Sequence, residues 1–248
     1  MIRLIAWKEL RGLFGAPSTW LILGALQFIL AWAYLGRLDA FLQVQSQLAL
    51  VANAPGASEA VVPGLFRDTL GVIVMLVTPL FTMRLLAEER RNQTLVLLLS
   101  APISNARIVL GKFAGLIAFL WLLILWCGAM AATLRLGTPM DLGLLLSNTL
   151  GMLLLAASYA ALGLYISSLT TQPVVAAVAA LATLSGLWLI ESSAPDGYRL
   201  WHALAPTGHF RNFNSGLLDS GDVAYFVLFC AFFLALTIRR LDDSRSYG

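Results

Sequence analysis

Residues 113–134 read FAGLIAFLWLLILWCGAMAATL, twenty-two positions without one charged side chain. A helix of about 20 largely apolar residues, rising 1.5 Å per residue, crosses the hydrocarbon core of a bilayer. Comparable runs occupy Ser18 to Leu35, Leu70 to Leu86, Leu142 to Ser168, Val174 to Ile190 and Val223 to Ile238, so six spans are expected. Over all 248 residues, 59% are hydrophobic and 12% charged. That charge is roughly half the quarter expected of a water-soluble domain, and disorder requires too little apolar surface rather than too much. The composition therefore predicts an all-α polytopic membrane protein.

Lysine and arginine in short flanking loops set orientation. Eleven fall on one side: Arg3, Lys8, Arg11, Arg84, Arg90, Arg91, Arg107, Lys112, Arg239, Arg240 and Arg245. Five fall on the other: Arg37, Arg67, Arg135, Arg199 and Arg211. Both termini are thereby expected in the cytoplasm, which requires an even number of spans. The net charge of +3 does not point to nucleic acid, because the basic residues are scattered between apolar runs rather than gathered on one solvated face. Cys127 and Cys230 both sit inside apolar runs, where a thiol is a small apolar filler and no disulfide framework is implied.

Residues 1–16 differ from the spans. At 100° per residue Ile2, Ala6, Trp7, Leu10, Leu13 and Phe14 share one arc, with Lys8, Glu9 and Arg11 off it. The pattern predicts an interfacial helix on the cytoplasmic leaflet with Trp7 at headgroup depth. A straight extension of the first span is the alternative, against which Gly15 and Pro17 speak. The first run is expected to be an uncleaved span, since no convincing small-residue cleavage site closely follows it.

The six runs are nearly devoid of ionisable groups; Arg84, near the end of the second, is counted with the cytoplasmic flank. An ionisable group at bilayer depth costs about 2.5–3.5 kcal/mol on insertion scales and is kept for a proton, ion or substrate path. Transport would then be passive or driven from outside the chain. Gly111-Lys112 lacks the upstream glycine and following Ser or Thr of a phosphate-cradling loop, and is expected to be a helix start. His202 and His209, seven residues apart in the outer segment, suit no zinc site by themselves and are expected to be solvated or interfacial.

Between the second and third spans lies MRLLAEERRNQTLVLLLSAPISNARIVLGKF. Met83 to Leu99 can run as one helix leaving the membrane, with Glu88, Glu89, Arg90 and Arg91 at the water boundary and Thr94, Leu95, Leu98 and Leu99 needing burial. Ala101 and Pro102 end it, and Ser104 or Asn105 can cap the third span. Such a charged helix either packs on headgroups or offers a soluble motor something to grip.

AEERRNQTLVLLLSAPISNARIVLGKF resembles the signature of permease subunits of type-2 ATP-binding-cassette exporters. WKELRGLFGAPSTWLI is similar to that family's amphipathic start and first span, and LYISSLTTQPVVAA to its cytoplasmic link between the fourth and fifth spans. LAPTGHFRNFNSGLLDSGDVAYFVLFCAFFLALTIRRLD resembles the outer segment and sixth span of the gliding-motility-associated, GldF-like branch. The resemblance implies a dimer of identical or related six-helix permeases in the bacterial inner membrane. It also implies two cytoplasmic ATPase subunits that carry the ATP and Mg, this chain needing no cofactor. It makes residues 87–105 a coupling helix that fits a groove on the ATPase, with Glu88, Glu89, Arg90, Arg91 and Thr94 as coupling positions. Asn92-Gln93 replaces the usual glycine before Thr94, so a more helical turn is expected there.

Gly143, Ser147 and Gly151, four apart, favour close helix packing within the chain over a dimer seam. Gln27, Asn148, Thr149, Ser158 and Tyr159 are the candidates to line a path, together with Ser167, Thr183 and Ser185. So few polar groups suit an amphipathic or lipid-linked cargo better than an ion. Residues 37–67 are expected to begin helical and end irregular, and residues 191–222 to form short re-entrant or interfacial outer helices. A passive channel or scaffold is the alternative function; a membrane enzyme would need a catalytic pair that the sequence does not offer.

Overall fold

A computed structural model of the chain describes residues 1–48, 56–94, 104–193 and 205–246. Among these the helices are α1 (Ile2–Gly15), α2 (Pro17–Leu48), α3 (Ala57–Gly64), a π-helical turn (Leu65–Leu70), α4 (Gly71–Leu85) and α5 (Ala87–Arg91). They continue with α6 (Asn105–Ala132), α7 (Leu142–Leu169), α8 (Pro173–Ser193), α9 (Pro206–Asn214) and α10 (Ser220–Ser246). Six segments are long and apolar enough to cross a membrane: α2, the α3–α5 composite, α6, α7, α8 and α10. The protein is all-α and polytopic.

Side-chain contacts fix how the helices alternate. At one end Lys112 of α6 meets Glu9 of α1 and Glu89 of α5, and Asn105 of α6 donates to Asp242 of α10. At the other, Arg37 of α2 pairs with Asp68, Tyr34 meets Thr133, and Ser147 of α7 donates to the Phe213 carbonyl of α9. The basic flanks described above thus gather at the first end, which carries both the start of α1 and the end of α10.

The helix α7 forms the core. Helices α4, α6, α8, α9 and α10 all pack on it, and 67% of its apolar window is buried against 11% for α2 and 22% each for α8 and α10. Its small residues seat the neighbours. A Cβ at Gly151 would lie 2.5 Å from Phe213 Cβ, and one at Gly163 would lie 2.5 Å from Thr82 Oγ1. The 143/147/151 spacing therefore serves packing within the chain, chiefly against α9. Gly143 itself meets only Asp141, whose carboxylate caps α7 by accepting from the amides of Gly143 and Leu144 at 2.8 and 3.2 Å. Asp141→Ala is expected to cost about 1 kcal/mol, the usual worth of such a cap, read as a lower melting temperature in detergent.

Three expectations require correction. The second span begins at Ala57 rather than near Leu70, so residues 57–67 are helical and not irregular. Val61, Val62, Leu65 and Phe66 are fully buried, and their packing against α2 and α7 overrides the Pro63-Gly64 pair. Met83 to Leu99 is not one helix: the backbone breaks at Leu86 (φ −126°) and turns through Gln93 (φ 59°). Asn92-Gln93 is accordingly a turn, not a more helical stretch; Leu95, Leu98, Leu99, Ala101 and Pro102 lie outside the described residues. Ser104 occupies the cap position of α6 without a side-chain capping bond, while Asn105 reaches α10 instead.

The amphipathic start also differs from a helix resting freely on headgroups. The chain breaks at Ala16 as Gly15 and Pro17 suggest, but α1 lies along α6. Gly111 and Gly115, one helical turn apart, make the seat: a Cβ at either would come within 2.8 Å of Ile5 or of Glu9 Cβ and the Ala6 carbonyl.

Candidate functional site

The end that carries the basic residues holds an ion cluster built from three helices. Lys112 is 1% exposed, one full turn and more inside α6, and its ammonium donates to Glu9 Oε1 at 2.8 Å and to Glu89 Oε1 at 2.7 Å. A buried ammonium is tolerated only when paired, and here it takes two carboxylates at once. Lys112 is therefore not a plain helix start; it ties α1 and α5 to α6. Ser167 of α7 completes the anchorage by accepting from the Ala87 amide at 3.0 Å and donating to the Met83 carbonyl at 3.4 Å, spanning the break at Leu86.

The cluster sorts the coupling candidates. Glu89 faces inward on Lys112, with Oε2 buried and without a hydrogen-bond partner among the described residues. Arg90 is half-buried, its Nη2 likewise enclosed, and it feels the charge of Arg240 on α10. Glu88 is half-buried, whereas Arg91 and Thr94 are exposed. The Thr94 hydroxyl donates to the Glu89 carbonyl at 3.3 Å and closes the turn. Arg90, Arg91 and Gln93 face Thr171, Gln172 and Pro173 of the α7–α8 link across an open groove of about 590 Å³. The described part of the coupling segment and that link thus share one surface.

The five path candidates are not brought together. Gln27 donates to Met130 Sδ at 3.7 Å between α2 and α6; Asn148 is buried and donates to the Leu144 and Asn214 carbonyls at 2.9 and 3.3 Å. Thr149 bonds back to the Leu145 carbonyl at 2.8 Å, and Ser158 meets Cys230 Sγ at 3.7 Å. Among the described residues Tyr159 makes no hydrogen bond, and it borders a small cavity. Ser167 is occupied at the α5 anchorage, and Thr183 bonds to the Ala179 carbonyl.

At the opposite end α9 folds into the bundle, burying Phe210 and Phe213 against α7. His209 is not solvated: its Nδ1 lies 2.6 Å from Asp222 Oδ1 and its ring stacks on Tyr225 at 3.8 Å. Asn212 donates to the other oxygen of Asp222 at 2.7 Å. His202 lies outside the described residues. Glu191, only 3% exposed in the last turn of α8, takes the Arg211 guanidinium at 2.6 Å. Sequence reading missed Lys112 and Glu191 as buried ions and Glu9 as a half-buried partner of the first; the local sign of Lys112 was the Gly-Lys-Phe-Ala-Gly spacing at 111–115, a helix contact with a cation inside it.

The fold is that of a multi-pass membrane protein. The chain belongs to the ABC-2 family of transporter proteins, whose model matches residues 3–243. No curated protein matches it. As a member of that family it is a multi-pass permease of an ATP-binding-cassette transporter, a class that typically works with an ATPase subunit.

Proposed function

We propose that the protein is the permease of an exporter driven by a separate cytoplasmic ATPase, and that the turn from Glu88 to Thr94 together with the α7–α8 link receives that ATPase. The single observation that supports this best is the anchorage of an exposed turn: Arg91 and Thr94 project from a segment held by Lys112 and Ser167 to α1, α6 and α7. A push on the turn is passed to three helices rather than absorbed by a loose loop. The reading places two ATPase subunits, with their ATP and Mg, beneath a dimer of identical or related permeases in the bacterial inner membrane, both termini cytoplasmic. The few polar groups along the spans favour an amphipathic or lipid-linked cargo. Within the family, the resemblance of residues 204–242 favours the gliding-motility-associated branch.

The test is reconstitution with the candidate ATPase encoded beside this chain. Reversing Glu88→Lys and Arg91→Glu together is expected to weaken the complex about tenfold, since two ion pairs at the rim of an interface contribute roughly 0.2–1 kcal/mol each and reversal makes them repulsive. The melting temperature of the permease should stay where it was, because neither residue has a charged partner within the described chain. Unchanged ATPase association and unchanged stimulation of ATP hydrolysis would sink the proposal.

A further inference from the structure

The half of the bundle opposite the Lys112 cluster contains a cavity whose lining is organised for an anion. It lies between the π-helical turn, α4, α7, α8 and α9, with space of about 40 Å³ for the centres of water-sized probes. A single water needs roughly 10–15 Å³ on that measure, so the cavity holds about three, close to the bulk of one phosphate group. Its polar lining consists of three donor side chains, Arg67, Tyr159 and Thr207, and one carboxylate, Glu191. The Tyr159 hydroxyl is in a residue 2% exposed and makes no hydrogen bond among the described residues. Thr207 Oγ1 is buried without a partner. Arg67 brings a guanidinium that forms no ion pair among the described residues, because the neighbouring Asp68 is taken by Arg37 at 3.0 Å.

One further feature has the same sign. Thr207 stands in the first turn of α9, whose N-cap Ala205 supplies no side-chain capping bond, so the positive end of the helix faces the cavity. Glu191 also borders the space, but its carboxylate is held by Arg211 at 2.6 Å. Among the described residues, Arg67 and Arg211 against Glu191 leave one positive charge beside two hydroxyl donors. The remaining wall is apolar, and two of its members, Val72 and Trp188, are 39% and 42% exposed on the lateral surface of the bundle. A ligand can therefore keep an acyl chain along that surface while its head enters.

We propose that this cavity is a phosphate-binding site, with Arg67 as the charge partner and Tyr159 and Thr207 as hydroxyl donors. The phosphate is that of a lipid headgroup or of free inorganic phosphate; the recognition chemistry is the same. The site does not depend on the chain's having an ATPase partner, and its test uses neither ATP nor transport.

The experiment is native mass spectrometry of the purified full chain in a nonionic detergent, titrated separately with dioctanoyl phosphatidate, inorganic phosphate and dioctanoylglycerol. One phosphatidate per chain is expected, with dioctanoylglycerol much weaker. Arg67→Gln should weaken phosphatidate about tenfold, equivalent to 1.4 kcal/mol, and Tyr159→Phe about fivefold. Inorganic phosphate that binds and displaces phosphatidate supports the site with free phosphate as its ligand; phosphatidate that binds where phosphate fails supports it with the lipid as source. Glycerolipid binding equal to phosphatidate, binding of neither anion, or wild-type affinity in both variants overturns the proposal. Should Tyr159→Phe fold poorly, Thr207→Val together with the exposed Arg67→Gln carries the same test.

Discussion

Lys112→Met is expected to destabilise the protein by about 3 kcal/mol, the lower end of the range for breaking a buried ion pair. Removing the ammonium leaves the carboxylates of Glu9 and Glu89 facing one another across the space it filled, as both lie within 2.8 Å of it. The two carboxylates are 17% and 21% exposed, so water relieves part of the repulsion, which places the effect at the lower end. Adding Glu9→Gln and Glu89→Gln should restore most of the loss, because an uncharged trio has no desolvated charge left to neutralise. Thermal unfolding in detergent reads both steps. A triple variant as unstable as Lys112→Met would mean that packing of the lysine stem, not charge, holds the three helices together.

Gly151→Leu carries the second large effect. Even alanine here would set a Cβ 2.5 Å from Phe213 Cβ and 3.0 Å from Phe210 Cδ2, and those rings are anchored in α9 rather than at the end of a flexible chain. Overpacking of this kind costs about 1–3 kcal/mol, and leucine, three carbons larger, should reach or exceed the top of that range. The displaced α9 would take with it the Ser147 bond to the Phe213 carbonyl. Gly24→Ala is the control. A Cβ there meets nothing within 4 Å, so the substitution should raise stability by about 0.5–1 kcal/mol through helix propensity alone. Equal melting temperatures for the two glycine variants would show that α9 does not pack as described.

What the sequence disclosed and what it withheld follow from range. The six spans are legible because twenty apolar residues in a row have one physical use, and the run at 113–134 shows it without reference to any other part of the chain. The Gly15 and Pro17 break is legible for the same local reason. Lys112 was not, since its carboxylates lie 103 and 23 residues away and no pattern near the lysine names them. Glu191 sits at the edge of the fifth run, where a charge ordinarily marks the water boundary; its burial beside Arg211, 20 residues on, is a contact no local pattern announces. The second span is expected from hydropathy to begin near Leu70, while burial of Val61, Val62, Leu65 and Phe66, far from one another's partners in sequence, carries its helix back to Ala57. The exposed coupling positions were legible as charges at a boundary, but not which of them turn inward: Glu89 and Arg91 differ by two residues and point to opposite uses.

The wide turn at Leu65–Leu70 has a consequence for how this region tolerates change in length. The Gly71 amide donates to the Phe66 carbonyl five residues back, one residue more than in an ordinary helix. Deleting one position there would restore ordinary winding and leave the segments on either side on their present faces, because the wide turn differs from an ordinary one by about the residue it adds. Length in this stretch is therefore adjustable by one: a homologous chain can lose the surplus residue and keep Val61 and Val62 inside, whereas the same loss from ordinary helix would turn them by about 100°.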